Sequence, residues 1–265
     1  MQVGGNAYLV NMTFMGNDDY AIACYDCHMN IKVSDVSNNR GGIYFSGGYV
    51  LLDNCMISEN GTFEGGGIYS NGGELIINDT IFQHNFSSKY GGAIYYIGES
   101  LSIQNCVFWS NACNENGGAI YVLGGPIEII NSVFVKNEVM QTGPNIIGRG
   151  GALARGGGNV YNSLFWDNSP DAYELEIGDY GYQFWNSLIH ETSPTHGNFE
   201  KDPLFVDQEN GDLHLQASSP CIDKADDTKA PATDIEGHGR LDIPGVGTPG
   251  TKADVGAYEY VPKKK

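Results

Sequence analysis

The sequence predicts an all-β fold, a parallel β-helix whose short strands coil and stack on one another. Three observations carry that prediction. The 265 residues include 37 glycines and 24 asparagines, poor helix formers that favour turns, yet 41% of the chain is apolar and 11% aromatic, enough for a core. A Gly-Gly-apolar signature recurs at Gly41-Gly42-Ile43, Gly66-Gly67-Ile68, Gly91-Gly92-Ala93-Ile94, Gly117-Gly118-Ala119-Ile120 and Gly150-Gly151-Ala152-Leu153. Each copy is followed by a second signature: Asn54-x-x-Ile57-x-x-Asn60, Asp79-x-x-Phe82-x-x-Asn85, Asn105-x-x-Phe108-x-x-Asn111, Asn131-x-x-Phe134-x-x-Asn137 and Asn162-x-x-Phe165-x-x-Asn168. Eleven positions separate Ile43 from Asn54, Ile68 from Asp79, Ile94 from Asn105 and Ile120 from Asn131. Constant spacing within a unit, with slack between units, is what a stacked coil requires.

Taken in chain order, residues 4–17 carry a weak turn, Asn11-x-x-Phe14-x-x-Asn17, and 20–38 a degenerate one. The clear turns follow, with alternating stretches such as Leu75-Ile76-Ile77-Asn78 and Leu101-Ser102-Ile103-Gln104 reading as strands. Residues 138–149 read as an insertion looping out of the stack, and 172–190 as a last weak turn. That makes about eight turns, a rod of roughly 35–40 Å at the ~4.8 Å spacing of strands. Stacking aligns Ile57, Phe82, Phe108, Phe134, Phe165 and Ile189 in one apolar column and Met56, Ile81, Val107, Val133, Leu164 and Leu188 in another. Asn54, Asp79, Asn105, Asn131, Asn162 and Asn186 fall at a bend, where amides can bond up and down the column. The glycine pairs mark another corner, where positive φ or close approach is needed.

The GGAI runs at 91–94 and 117–120, with FWSN at 108–111, FVKN at 134–137 and FWDN at 165–168, resemble the repeats of polymorphic outer-membrane proteins and related right-handed β-helix surface proteins. The tail is similar to the C-terminal region of bacterial β-helix proteins with a choice-of-anchor domain. It carries Asp202-Pro203-Leu204-Phe205-Val206-Asp207, Gly211-Asp212-Leu213-His214-Leu215, Ser218-Ser219-Pro220-Cys221-Ile222-Asp223, Thr233-Asp234-Ile235-Glu236-Gly237, Arg240 and Asp254-Val255-Gly256-Ala257-Tyr258-Glu259. The repeats give a coil over 1–198. The tail over 199–265, where Pro203, Pro220, Pro231, Pro244 and Pro249 limit strand stacking, reads as an irregular cap or anchor-type region covering the open strand edge. The resemblance implies a right-handed coil and an extracellular or bacterial cell-surface location. It implies no particular activity, because one fold hosts many functions. The start of the chain lacks a basic, apolar signal segment, and no stretch approaches the length of a membrane-spanning helix. No comparable cap covers the N-terminal edge, which points to further turns or self-association there.

Fourteen basic against 32 acidic residues give a net charge of −18, which repels phosphate backbones, so nucleic acid is not an expected partner. The position after each core aromatic should face outward: Ser58, Gln83, Trp109, Val135, Trp166 and His190. Beside it runs a polar column that includes His84, Lys136, Asp167 and Glu191. Trp109 and Trp166, with one turn between them, predict a platform on which sugar rings stack, with His84, Lys136, Asp167 and Glu191 as hydrogen-bonding or acid–base neighbours. The reading is a non-catalytic, adhesin-like module for a polysaccharide or glycan surface. The alternative is a polysaccharide hydrolase or lyase on the same face. Asp18-Asp19 and Gly237-His238-Gly239 are similar to motifs of polygalacturonase-type glycosidases, but the latter lies in the tail and no Arg-x-Lys follows it.

No metal site and no cofactor are expected, with one exception. Cys24-Tyr25-Asp26-Cys27-His28 has the C-x-x-C-H spacing of c-type haem attachment, in which two thioethers hold the porphyrin and the histidine binds iron. A third reading is therefore a haem-bearing protein through Cys24, Cys27 and His28; a local disulfide or two free thiols are its alternatives. Cys55 and Cys106 share a column but sit two turns, about 10 Å, apart, too far to bridge.

Overall fold

A computed structural model of the chain describes residues 1–140, 142–143, 146–170, 181–189, 195–243, 245 and 247–262. Among them there is no α-helix; the fold is all-β, with a single 3₁₀ turn at Gln208–Asn210. One coil shows how the rest are made. It runs through strands Ile68–Asn71, Glu74–Asn78, Ile81–Gln83 and Phe86–Tyr90, and each pairs in parallel with its counterpart one coil away. Thirteen strands form one sheet, seven a second and four a third. Seven strands in the second sheet mean about seven turns; where an eighth would lie, only Leu188 bridges Leu164. The expected insertion leaves the stack later than 138, because Glu138–Val139 still pairs in register with Ala112–Cys113.

Register places like upon like. Phe82, Phe108, Phe134 and Phe165 pile up inside the coil with ring centroids 4.8, 4.6 and 4.6 Å apart and planes within 2° of parallel. All are buried, and each stacked pair adds about 1 kcal/mol beyond burial of its area. At the glycine corner, Gly91 takes φ 63° and Gly92 is pressed so close to the next coil that a Cβ would lie 2.1 Å from the carbonyl oxygen of Gly118.

The amide ladder runs in the other asparagine column from the one expected. Nδ2 of Asn17, Asn39, Asn60, Asn85, Asn111 and Asn137 donates in turn to Oδ1 of Asn39, Asn60, Asn85, Asn111, Asn137 and Asn168, at 2.7–3.1 Å. From Asn39 onward each amide also donates to a carbonyl in the core, as Asn111 does to Phe82, so a tight inner corner is left with satisfied polar groups. The first-column residues Asn54, Asp79, Asn105, Asn131, Asn162 and Asn186 adopt left-handed φ of 47–53°, or 45° at Asn131. Asn tolerates that conformation. Only two links join them: Asn105 Nδ2 to Asp79 Oδ1 and Asn162 Nδ2 to Asn131 Oδ1.

Stacking ends with the segment before Phe199, where Asn198 Oδ1 accepts from Ser187 N and Phe199 bridges Leu188. The tail, expected as an irregular cap, is packed on the side of the coil among the described residues. It turns back and lies along the outer flank of the second sheet as a strap. There Phe205, Leu213, Leu215, Cys221, Ile222, Ala225, Ala253, Val255 and Ala257 share an apolar cluster with Val107, Val133, Leu164 and Leu188. The physical cause is the second apolar column, which points outward and needs a cover. Amides of the left-handed corner bind the strap. Asn105 Nδ2 donates to Thr233 O, Asn131 Nδ2 to Asp254 O, and Asn162 Nδ2 to Asp226 O, at 2.9–3.0 Å.

Candidate functional site

The flank of the second sheet holds the expected site residues, and the strap decides what they do. Trp109 and Trp166 do project outward, with Val135 between them in register. Both pack into the apolar cluster shared with the strap. The Gly211 backbone lies so close to Trp109 that a Cβ there would meet the indole at 2.9 Å, and Trp109 Nε1 is buried without a hydrogen-bond partner. The two indoles are therefore not an open stacking platform. The polar neighbours serve the same seam: Lys136 pairs with Glu209, Asp167 accepts from Gln208 Nε2 at 3.0 Å, and His84 sets its ring against the Trp109 edge at 4.5 Å. Glu191 and His190 lie outside the described residues. The sequence held a signal for this cover, since a second outward apolar column cannot face water over six turns.

The haem geometry fails as well. Cys24 and Cys27 point into the coil, fully buried and joined as a disulfide, whereas His28 is exposed and stacks beside Tyr49. Sulfurs facing one way and imidazole the other leave no face on which a porphyrin fits. The other four cysteines are free and buried, and burial pushes the thiols of Cys113 and Cys221 up to about 12. They are inert packing residues.

Where the strap stops short, the flank opens. Met56 and Ile81 are only partly covered, while Val107, Val133, Leu164 and Leu188 further along are buried. The result is a cleft of about 450 Å³ between coil and strap, lined by Ser34, Asn54, Cys55, Met56, Asp79, Ile81, Ile235, Glu236 and Tyr258. Asp79 is the one carboxylate in a corner column that otherwise holds Val33 and a run of asparagines from Asn54 to Asn186. Its Oδ1 accepts from Asn105 Nδ2 at 2.9 Å, and half-burial holds its carboxyl above the usual range. On the strap side, His214 rests 4.4 Å from the Tyr258 ring. Its Nδ1 lies 2.7 Å from Asp212 Oδ1 and its Nε2 3.1 Å from Glu236 Oε2. Burial works against the charged imidazole of His214, but these two carboxylates outweigh it and raise its pKa.

The tail motifs prove to be the glue of the strap. Buried Asp234 accepts from the backbone N–H groups of Glu236, His238 and Glu259, and Arg240 donates to Glu259 at 2.7 Å and to Asn105 Oδ1 at 3.1 Å. Asp254 accepts from Asp223 N and Tyr260 N.

Coils in parallel register with an internal side-chain ladder define a β-solenoid protein, here with a lateral strap. More narrowly, the chain belongs to the right-handed β-helix family: the family model described as "Right handed beta helix region" matches residues 2–168. No curated protein matches the sequence.

Proposed function

We propose that this chain is a non-catalytic binding module displayed outside the cell, and that its ligand is a glycan held in the cleft at the head of the strap. The observation that carries the reading is Asp79. At a corner where both adjacent coils place asparagine, Asn54 and Asn105, this coil places a carboxylate, and it lines the cleft with Met56, Ile81 and Tyr258. A sugar presents an apolar face and a rim of hydroxyls; apolar walls with a few directed acceptors suit both. An acceptor in a half-buried site gains strength from the lowered dielectric. The outward tryptophans contribute by holding the strap in place, not by touching the ligand.

Asp79→Asn tests this cleanly, because asparagine already occupies the equivalent corner of neighbouring coils and leaves the fold intact. A glycan array followed by calorimetry on the best ligand should show binding by the native chain and about tenfold weaker binding by the variant, the loss of one charge-assisted hydrogen bond. Equal binding by both proteins, or no glycan bound, sinks the proposal. Reducing or unsaturated ends that accumulate with time would replace the module with an enzyme.

A further inference from the structure

We propose that the loop from Asp234 to His238 is a binding site for a divalent cation of the zinc class, with Asp234, Glu236 and His238 as ligands and His214 beside them. The loop is closed at its base: Asp234 N donates to His238 O at 2.9 Å, Gly237 N donates to Asp234 O at 3.0 Å, and Thr233 bridges Gly239. Gly237 takes φ 85°, the left-handed turn that lets the chain double back. Alternate side chains at 234, 236 and 238 are thereby gathered, with one donor atom from each within 4.8 Å of the others. His238 Nδ1 lies 3.2 Å from Asp234 Oδ2 and 3.6 Å from Glu236 Oε2. A tetrahedral ion with bonds of about 2.0 Å has ligand atoms about 3.3 Å apart, so little movement is needed to admit one.

The donor types select the ion. Calcium and magnesium prefer oxygen-only shells with six or more positions, whereas one imidazole with two carboxylates suits zinc. His214 Nε2 reaches the same Glu236 oxygen at 3.1 Å, with its Nδ1 2.7 Å from Asp212 Oδ1, so His214 acts as an outer positioning residue that orients the Glu236 carboxylate. Asp234 is preorganised, because its Oδ1 already accepts two backbone N–H groups. Glu236 has only histidines as ion-pair partners among the described residues, leaving its charge for the ion. When Nδ1 of His238 takes the metal, the ring hydrogen resides on Nε2. The Gly237-His238-Gly239 run thus becomes part of a metal loop on the strap.

The inference goes beyond the glycan reading and needs no sugar for its test. The full chain, washed with EDTA, is titrated with zinc by calorimetry, and with cobalt(II) for the absorption of a tetrahedral site. One ion per chain is expected, with affinity at least about tenfold weaker in the Glu236→Gln/His238→Gln double variant and weaker also in His214→Gln. Asp234 is left alone because the loop depends on it; circular dichroism and the thermal midpoint of the metal-free variants check that folding is unchanged. Absence of stoichiometric binding, undiminished binding by the double variant, or tighter binding of calcium than of zinc overturns the assignment. Glycan binding by EDTA-washed protein and its Asp79→Asn variant reports on the cleft alone, so the two proposals fail separately.

Discussion

Coil and strap are held by opposite strategies. In the coil, two inner columns set like on like: phenylalanine on phenylalanine at 4.6–4.8 Å, asparagine amide on asparagine amide at 2.7–3.1 Å. The strap has no repeat. It is held by unrepeated contacts, Arg240 on Glu259, Gly211 on Trp109, and three corner asparagines on backbone carbonyls. Damage to the coil therefore spreads to stacked neighbours, whereas damage to the strap stays local. The strap is also where acidic groups are crowded enough for their protonation to matter.

The largest expected effect lies in the coil. Phe108→Ala removes a ring with stacked partners on both sides and should cost about 4 kcal/mol, seen as a lower midpoint in urea unfolding with protection lost across adjacent coils. If hydrogen exchange showed only the Val107–Trp109 strand opening, the coil would not be the cooperative body described here.

Arg240→Met comes next. Arg240 and Glu259 are both buried, and removing the guanidinium strands the carboxylate, at a cost of about 3 kcal/mol. Exchange should rise at amides of residues 226–260 while those of the coil keep their protection, and tryptophan emission should shift as Trp109 and Trp166 become wetter. Uniform destabilisation of both parts would erase the distinction between them.

The smallest effect is a pH dependence confined to the strap. Burial, with the charge of Glu259 behind it, pushes Asp254 up to about 8 from its ordinary 3.8. Between those values the folded strap holds a proton that the unfolded chain has released. Its contribution to stability is thus complete below about pH 4 and is lost as pH rises towards 8. Exchange at the strap amides of Val255 and Tyr260 should quicken over that range relative to Ile103 in the coil. A flat difference would show that Asp254 stays ionised.

The coil was legible because its period was. Fixed spacing from Ile68 to Asp79 and from Ile94 to Asn105 puts equivalent residues in register, and the inward phenylalanine column follows from it. Period alone does not say which asparagine column turns inward. Asn85 and Asn111 carry the ladder because they follow a left-handed residue that directs them into the core, while Asn105 and Asn131 point out to the strap. The cleft was less legible still. Asp79 is a lone carboxylate in its column, but nothing in the sequence marks it as a site, because Ile235, Glu236 and Tyr258, which line the cleft with it, lie more than 150 positions away. The haem motif misled because C-x-x-C-H specifies spacing and not facing; in an extended strand with a bend at Asp26, the sulfurs and the imidazole part company.

Local repetition, read from the amino-acid order alone, determined the architecture: an all-β coil, its phenylalanine column and its glycine corners. Each of these depends on neighbours one period away, whose identity the chain states outright. Only the tertiary structure decided that the tail lies along the flank, which tryptophans it hides, and where a cleft remains. Those outcomes depend on contacts across 64 to 135 positions, such as Asn162 to Asp226 and Arg240 to Asn105, and on apolar surface finding cover, with no period to announce the match.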